Sequence, residues 1–316
     1  MASTKTGKGA PPASRRSRSR DSKGFPVWAV MASVSAAVVA LIVVTRPGTD
    51  TDAGPNAAQS VAHVHGLGIN PADGDLYAAT HFGLFRIGTD GKAERVGDAV
   101  QDTMGFTVVG PDHFLASGHP DPKDTRLRKA DRPPLLGLIE STDGGRSWES
   151  VSLLGEADFH SLVADHGKVY GYDATGGRFM VSPDGKQWET RSQLRIGDFA
   201  IDPGDGDHLV ATTQGGLAES RDGGRNWEPT DGPQQPALLS WGVKQGLWAV
   251  SANGEIHRRT ERGWEAREAL AGRPQALLVT TDELYAAVFS ENRTAIYVSS
   301  DEARSWRLRY SDEVPR

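Results

Sequence analysis

From residue 61 onward, apolar positions come in runs of about five residues separated by Gly, Asn, Asp and Pro. "HGLGI" (65–69), "LYAATH" (76–81) and "GLFRI" (83–87) form one group. "GDFAI" (197–201), "LVATTQ" (209–214) and "GLAES" (216–220) form another, and "ALLVT" (276–280), "LYAAVF" (284–289) and "AIYVS" (295–299) a third. Runs this short, bounded by turn formers, predict strands joined by hairpins. The pattern cuts into six units beginning near residues 61, 102, 157, 195, 236 and 274. Each predicts an apolar strand, a hairpin, a second apolar strand, then a third and a fourth. Four antiparallel strands repeated radially make an all-β fold, a β-propeller, because a closed ring leaves only short, protected sheet edges. Six blades are expected, with five or seven as alternatives, since one sheet combining both chain ends would change the count.

One run differs. Residues 25–45, "FPVWAVMASVSAAVVALIVVT", are 21 residues without a charge, enough to cross a hydrocarbon core of about 30 Å as a helix. A cleaved signal peptide is the alternative, but the run exceeds the usual apolar region of one. In the tail before it (1–24), Lys5, Lys8, Arg15, Arg16, Arg18, Arg20 and Lys23 face only Asp21, a balance of +6. That excess predicts a cytoplasmic, disordered tail and a single-pass cell-membrane protein whose remaining chain lies outside. Residues 46–60, "RPGTDTDAGPNAAQS", have the composition of a flexible tether.

With +6 in the tail and −6 overall, residues 25–316 carry −12, which argues against nucleic acid as a partner of the outer domain. Cysteine is absent, excluding disulfides, thiolate metal sites, cysteine nucleophiles and a lipoprotein anchor. No G-x-S-x-G, phosphate-binding loop or dinucleotide fingerprint is present.

A second period lies over the first. "STDGGRSW" (141–148), "SPDGKQW" (182–188), "SRDGGRNW" (220–227) and "SSDEARSW" (299–306) begin 41, 38 and 79 residues apart. Eroded copies are "SANGEIHRRTERGW" (251–264) and "GTDGKAERV" (88–96). Ser and Asp accept hydrogen bonds from backbone N–H groups of their own turn, Gly supplies positive φ, and Trp covers the turn. These boxes resemble the Asp-box, or BNR, repeat S-x-D-x-G-x-x-W of sialidase-like propellers. Ser182–Trp188 is one residue short, and Ala303 stands where the repeat has Gly. The resemblance implies a propeller over 61–316 with structural boxes away from any active site. It also implies an exo-α-sialidase activity, a glycoside hydrolysis by three substrate-gripping arginines, a Tyr nucleophile paired with Glu, and an Asp acid/base. Arg86 in "FRIG" resembles the first such Arg, but follows the first two strands instead of preceding the first blade. Tyr77, Tyr170 and Tyr285 fall early in second strands as packing residues. The arginine triad and the Tyr/Glu pair are therefore not recoverable, and Asp102, Asp158 and Asp198 offer only a carboxylate pair of unknown spacing.

Aligning the units on their apolar runs makes His65, Met104, His160 and Gly197 equivalent, with His63, Asp102, Asp158 and Arg195 two residues upstream and His81 equivalent to His119. Starts of first strands lie beside ends of second strands, at one mouth of the channel. Five of nine histidines, His63, His65, His81, His119 and His160, are expected at that mouth, while His113, His166 and His208 fall in hairpins at the other end. Imidazoles with Asp102, Asp158 and Met104 suit zinc or copper, and the thioether favours copper. The alternatives are a small polar ligand without metal, a protein partner or scaffold role, or mere hydrogen bonding among the rings. The insertion "PDPKDTRLRKADRPP" (120–134) follows His119 and carries Lys123, Arg126, Arg128, Lys129 and Arg132. It predicts either a lid over the mouth that attracts anionic ligands or a solvated loop.

Overall fold

The computed structural model describes residues 61–313. The predicted tail, membrane span and tether lie outside the described residues. Among the described residues no helix is long and apolar enough to cross a membrane.

Six four-stranded antiparallel sheets follow one another along the chain, each with its strands in sequence order. The first strands, Val64–Ile69, Asp102–Gly110, Phe159–Asp165, Phe199–Asp202, Pro236–Gly242 and Arg273–Val279, meet from blade to blade around the ring and so line its axis. The result is a six-bladed β-propeller. Among the described residues no sheet mixes the two ends of the chain. Closure instead rests on packing of blade 1 against blade 6, where Val61, Val64, Leu67, Phe85 and Ile87 share one core with Ala276, Tyr285, Ile296 and Tyr310. Hydrogen bonds crossing this seam include Val61 N–H to Asp312 Oδ2 (3.1 Å), Val64 N–H to Gln275 Oε1 (3.3 Å) and Arg309 Nη2 to the Ile87 carbonyl (3.1 Å).

Alternation along the strands places apolar side chains between blades. Phe179, Phe199, Tyr170 and Leu209 fill the space between blades 3 and 4, and all are buried. The boxes hold the outer turns. Ser220 Oγ accepts from Gly224 N–H (2.9 Å), Asp222 Oδ1 accepts from Asn226 N–H (2.9 Å), and Trp227 Nε1 donates to Ser192 Oγ (3.0 Å). Gly224 has φ of 88°, and a Cβ there would stand 2.2 Å from the Phe179 ring. Gly144 N–H reaches the Asp112 carbonyl and Gly223 N–H that of Asp207. Those carbonyls belong to the first hairpins, so the boxes stand at the end of the ring opposite the starts of the first strands.

Candidate functional site

The site begins as an irregularity repeated in every blade. Val64 pairs with Thr80 and Gly66 with Ala79, so His65 is an extra residue in its ladder. The same skip isolates Met104, His160, Ala237 and Gln275. In blade 4, Gly197 N–H donates to the Thr212 carbonyl while Phe199 pairs with Ala211, which makes Asp198 the extra residue. A bulge breaks the strand's alternation and re-aims the extra side chain. His65, Met104, His160, Asp198 and Gln275 accordingly line a central channel of about 580 Å³.

This register corrects the alignment of unit four. Asp198, not Gly197, stands where His65 stands in blade 1, and buried Ile196 takes the place given to Arg195. Arg195 is exposed on the segment before blade 4. Matching apolar runs cannot register a bulge whose neighbours are Gly in one blade and Asp in another.

Around the mouth the histidine and aspartate side chains form a continuous arc. His63 stacks on Phe289 (ring centroids 5.7 Å) and lies tilted against His81 (5.0 Å), on a backbone with φ of 55°. His65 Nε2 lies 3.4 Å from His81 Nδ1, which is 2.7 Å from Asp102 Oδ1. His119 Nδ1 lies 3.2 Å from Asp102 Oδ2, and its Nε2 lies 3.5 Å from Asp158 Oδ2. His160 Nε2 is 2.8 Å from that same Asp158 oxygen. Blades 1, 2 and 3 thus contribute five histidines and two aspartates to one rim. Asp158 is almost fully buried, and its Oδ1 has no hydrogen-bond partner.

Three atoms converge more closely than the rest: His65 Nε2, His81 Nδ1 and Asp102 Oδ1 lie within 4.8 Å of one another. The electrostatics of His65 and Asp102 suit a cation. Burial, followed by the neighbouring His81, lowers the His65 pKa to about 4, so this imidazole is neutral at pH 7. Burial and His81 also lower that of His63. At Asp102 burial works against ionisation, but hydrogen bonds from His119 and His81 hold the carboxyl well below the usual carboxylate range. The bond to Asp102 raises the pKa of His119. Neutral imidazoles and an ionised carboxylate are the forms in which these groups bind metal.

An ion held at about 2.0–2.1 Å by tetrahedral N and O ligands separates those ligands by about 3.3 Å. The 3.4 Å and 3.9 Å gaps from His65 Nε2 to His81 Nδ1 and Asp102 Oδ1 already approach this, and only the 2.7 Å hydrogen bond must open. The residues therefore fit a tetrahedral ion with one position left for water or a ligand atom.

Other sequence expectations sort differently. His113 pairs with Glu140, His208 sits between Asp202 and Glu219, and His166 contacts the Asp202 carbonyl, all away from the mouth. The insertion is pinned by buried Leu127 against the core shared by blades 1 and 2. Arg126, bonded to Asp124 (2.9 Å), lines a separate groove of about 870 Å³ between those blades, and Arg128 is exposed. Neither lines the channel, because Leu127 draws the loop toward the blade interface. Arg86 lines the same groove and is bound to Asp75 (2.6 Å). Asp198 is held at the channel by Ser161 Oγ and the Phe199 and Leu239 N–H groups, and burial raises its pKa. Gln275 escaped notice because no polar repeat marks its position.

No protein-family model and no curated protein matches the chain. Among solved structures, the Niastella koreensis GH74 enzyme is similar at 12% identity and a TM-score of 0.56, over 78% of this chain and 45% of that one. The chain thus spans under half of that enzyme's length. A chain of the nidogen/laminin complex is similar at 15% identity and a TM-score of 0.58, over 75% of this chain and 97% of that one. The gluconolactonase XC5397 of Xanthomonas campestris is similar at 14% identity and a TM-score of 0.57, over 73% and 85%. At such identities the likeness shows the β-propeller fold and nothing finer.

Proposed function

We propose that this protein is an extracytoplasmic binding propeller, held at the membrane by residues 25–45, that takes a divalent transition-metal ion, zinc or copper, at its channel mouth. His65, His81 and Asp102 are the ligands, with His63 beside them. The observation that carries this reading is the convergence of two ring nitrogens and a carboxylate oxygen within 4.8 Å, drawn from two blades. His65 Nε2 also lies 3.4 Å from His81 Nδ1, near enough for one ion to reach both. When bound, the ion would supply a Lewis-acidic centre with an open coordination position. His119 would keep Asp102 ionised and aimed by holding its second oxygen, the part an outer hydrogen-bond partner plays at metal sites.

A sialidase-like hydrolysis gains less support. Arg86 is neutralised by Asp75 in a groove away from the channel. The test is elemental analysis of the full chain purified without a polyhistidine tag. The expected result is about one zinc or copper per chain, lost in His81→Ala with the fold retained; a metal-free protein that takes up neither ion on dialysis overturns the reading.

A further inference from the structure

The groove between blades 1 and 2, away from the channel, is where the repeat departs from its own pattern. In blades 3 and 4 the box Trp closes on the blade before it: Trp188 Nε1 donates to Ser152 Oγ (2.9 Å) and Trp227 Nε1 to Ser192 Oγ (3.0 Å). Each indole also reaches the carbonyl of its own box glycine, Gly185 or Gly224. Both serines end the fourth strand of their blade, opposite Leu138 and Phe179. In blade 1 the residue at that place, opposite Leu84, is Val96. Val96 packs on the same core as Trp148, the box Trp of blade 2, and offers it no side-chain acceptor. The Trp148 N–H has no partner among the described residues and stays open to the groove that Trp148 lines.

A second unsatisfied group lines the same groove. Gln101 is 2% exposed and gives its Nε2 to Thr103 Oγ1 (3.4 Å), while its Oε1 has no partner. A buried acceptor left alone is costly, and native folds keep few of them. The walls do not select a charge. Arg86 and Arg126 are bound to Asp75 and Asp124, and the other lining charges, Arg95, Lys123 and Arg146 against Glu94, Asp98 and Asp121, balance. A polyanion is therefore not favoured. Trp148 and Tyr77 are 6% and 4% exposed, so neither ring has a free face on which a sugar could stack. A peptide main chain, by contrast, carries one donor and one acceptor at nearly every residue.

We infer that this groove of about 870 Å³ binds an extended peptide segment of a partner protein through its main chain. Trp148 Nε1 donates to a peptide carbonyl, Gln101 Oε1 accepts from a peptide N–H, and the insertion that carries Lys123 and Leu127 forms one wall. The inference does not rest on the metal reading, since the groove and the channel share no lining residue.

The test pans the full chain, in mild detergent with a chelator present, against a phage-displayed library of random dodecapeptides, and titrates the enriched peptides by calorimetry. Trp148→Phe keeps an aromatic ring and removes the N–H. Val96→Ser supplies the acceptor that Ser152 and Ser192 supply in the next two blades, and so occupies the N–H without removing it. Thermal midpoints serve as folding controls, and Val96→Ser decides alone if Trp148→Phe does not fold. The wild type should enrich peptides that both variants bind about tenfold more weakly, as expected for one lost hydrogen bond of about 1.4 kcal/mol. No enriched peptide, or equal affinity in the wild type and the folded variants, overturns the peptide groove and leaves the metal reading untouched. Binding of an oligosaccharide on a glycan array, weakened by the same variants in place of any peptide, assigns the groove to a sugar and overturns it equally.

Discussion

The neutral, buried imidazole of His65 makes a quantitative claim about stability and pH. Its pKa is lowered from 6.5 to about 4, first by burial and then by His81. The unfolded chain therefore takes up a proton at this position at a pH where the folded chain does not. Stability from this group is present above pH 6.5 and is lost as pH falls from about 6.5 to about 4. At about 1.36 kcal/mol per pKa unit the full loss is about 3 kcal/mol, and the side chain is only 18% exposed, so solvent screening removes little of it. Asp102 works in the same direction but only below its unfolded value near 3.8, since its folded pKa is depressed. His119, whose folded pKa is raised, contributes stability that is complete below 6.5 and fades only as pH rises through its folded value. Between pH 6.5 and 4.5 His65 should dominate the difference between wild type and His65→Asn. Urea unfolding with a chelator present, at half-unit intervals across that window, should show the wild type losing about 2–3 kcal/mol more than the variant. Parallel curves would refute the assignment of a buried neutral imidazole.

Gly224→Ala should destabilise the propeller by about 3 kcal/mol, combining a left-handed backbone cost with a methyl pressed into the Phe179 ring; urea midpoints with unchanged m-values would check it. Zinc at 100 times its Kd should stabilise the wild type by about 2.7 kcal/mol and leave His81→Ala unmoved in thermal scans. Arg86→Gln, which unpairs Asp75 in the outer groove, should leave metal stoichiometry unchanged in elemental analysis. Asp312→Ala removes the acceptor of the Val61 N–H at the seam of the ring, and should cost about 1 kcal/mol while raising hydrogen exchange at the first strand of blade 1 ahead of the other first strands.

The blade count, the turn chemistry of the boxes and the gathering of five histidines at one end were legible because each is periodic. A strand–hairpin–strand unit of about forty residues repeats its geometry, so residues equivalent in sequence become equivalent in space. "STDGGRSW" declares its turn through local hydrogen bonds, such as Gly145 N–H to Ser141 Oγ at 2.8 Å, that need nothing from the rest of the fold. What tertiary structure alone decided is non-local. The bulge that makes Asp198 rather than Gly197 the counterpart of His65 exists only in the pairing of one strand with the next, and no local residue pattern announces it. Likewise, "PDPKDTRLRKADRPP" reads as a charged loop anchored beside His119, yet one buried leucine, Leu127, commits it to the groove between blades. Which imidazole meets which carboxylate depends on the angle between neighbouring blades. That angle is set by side chains packed between sheets and is written in no single stretch of the chain.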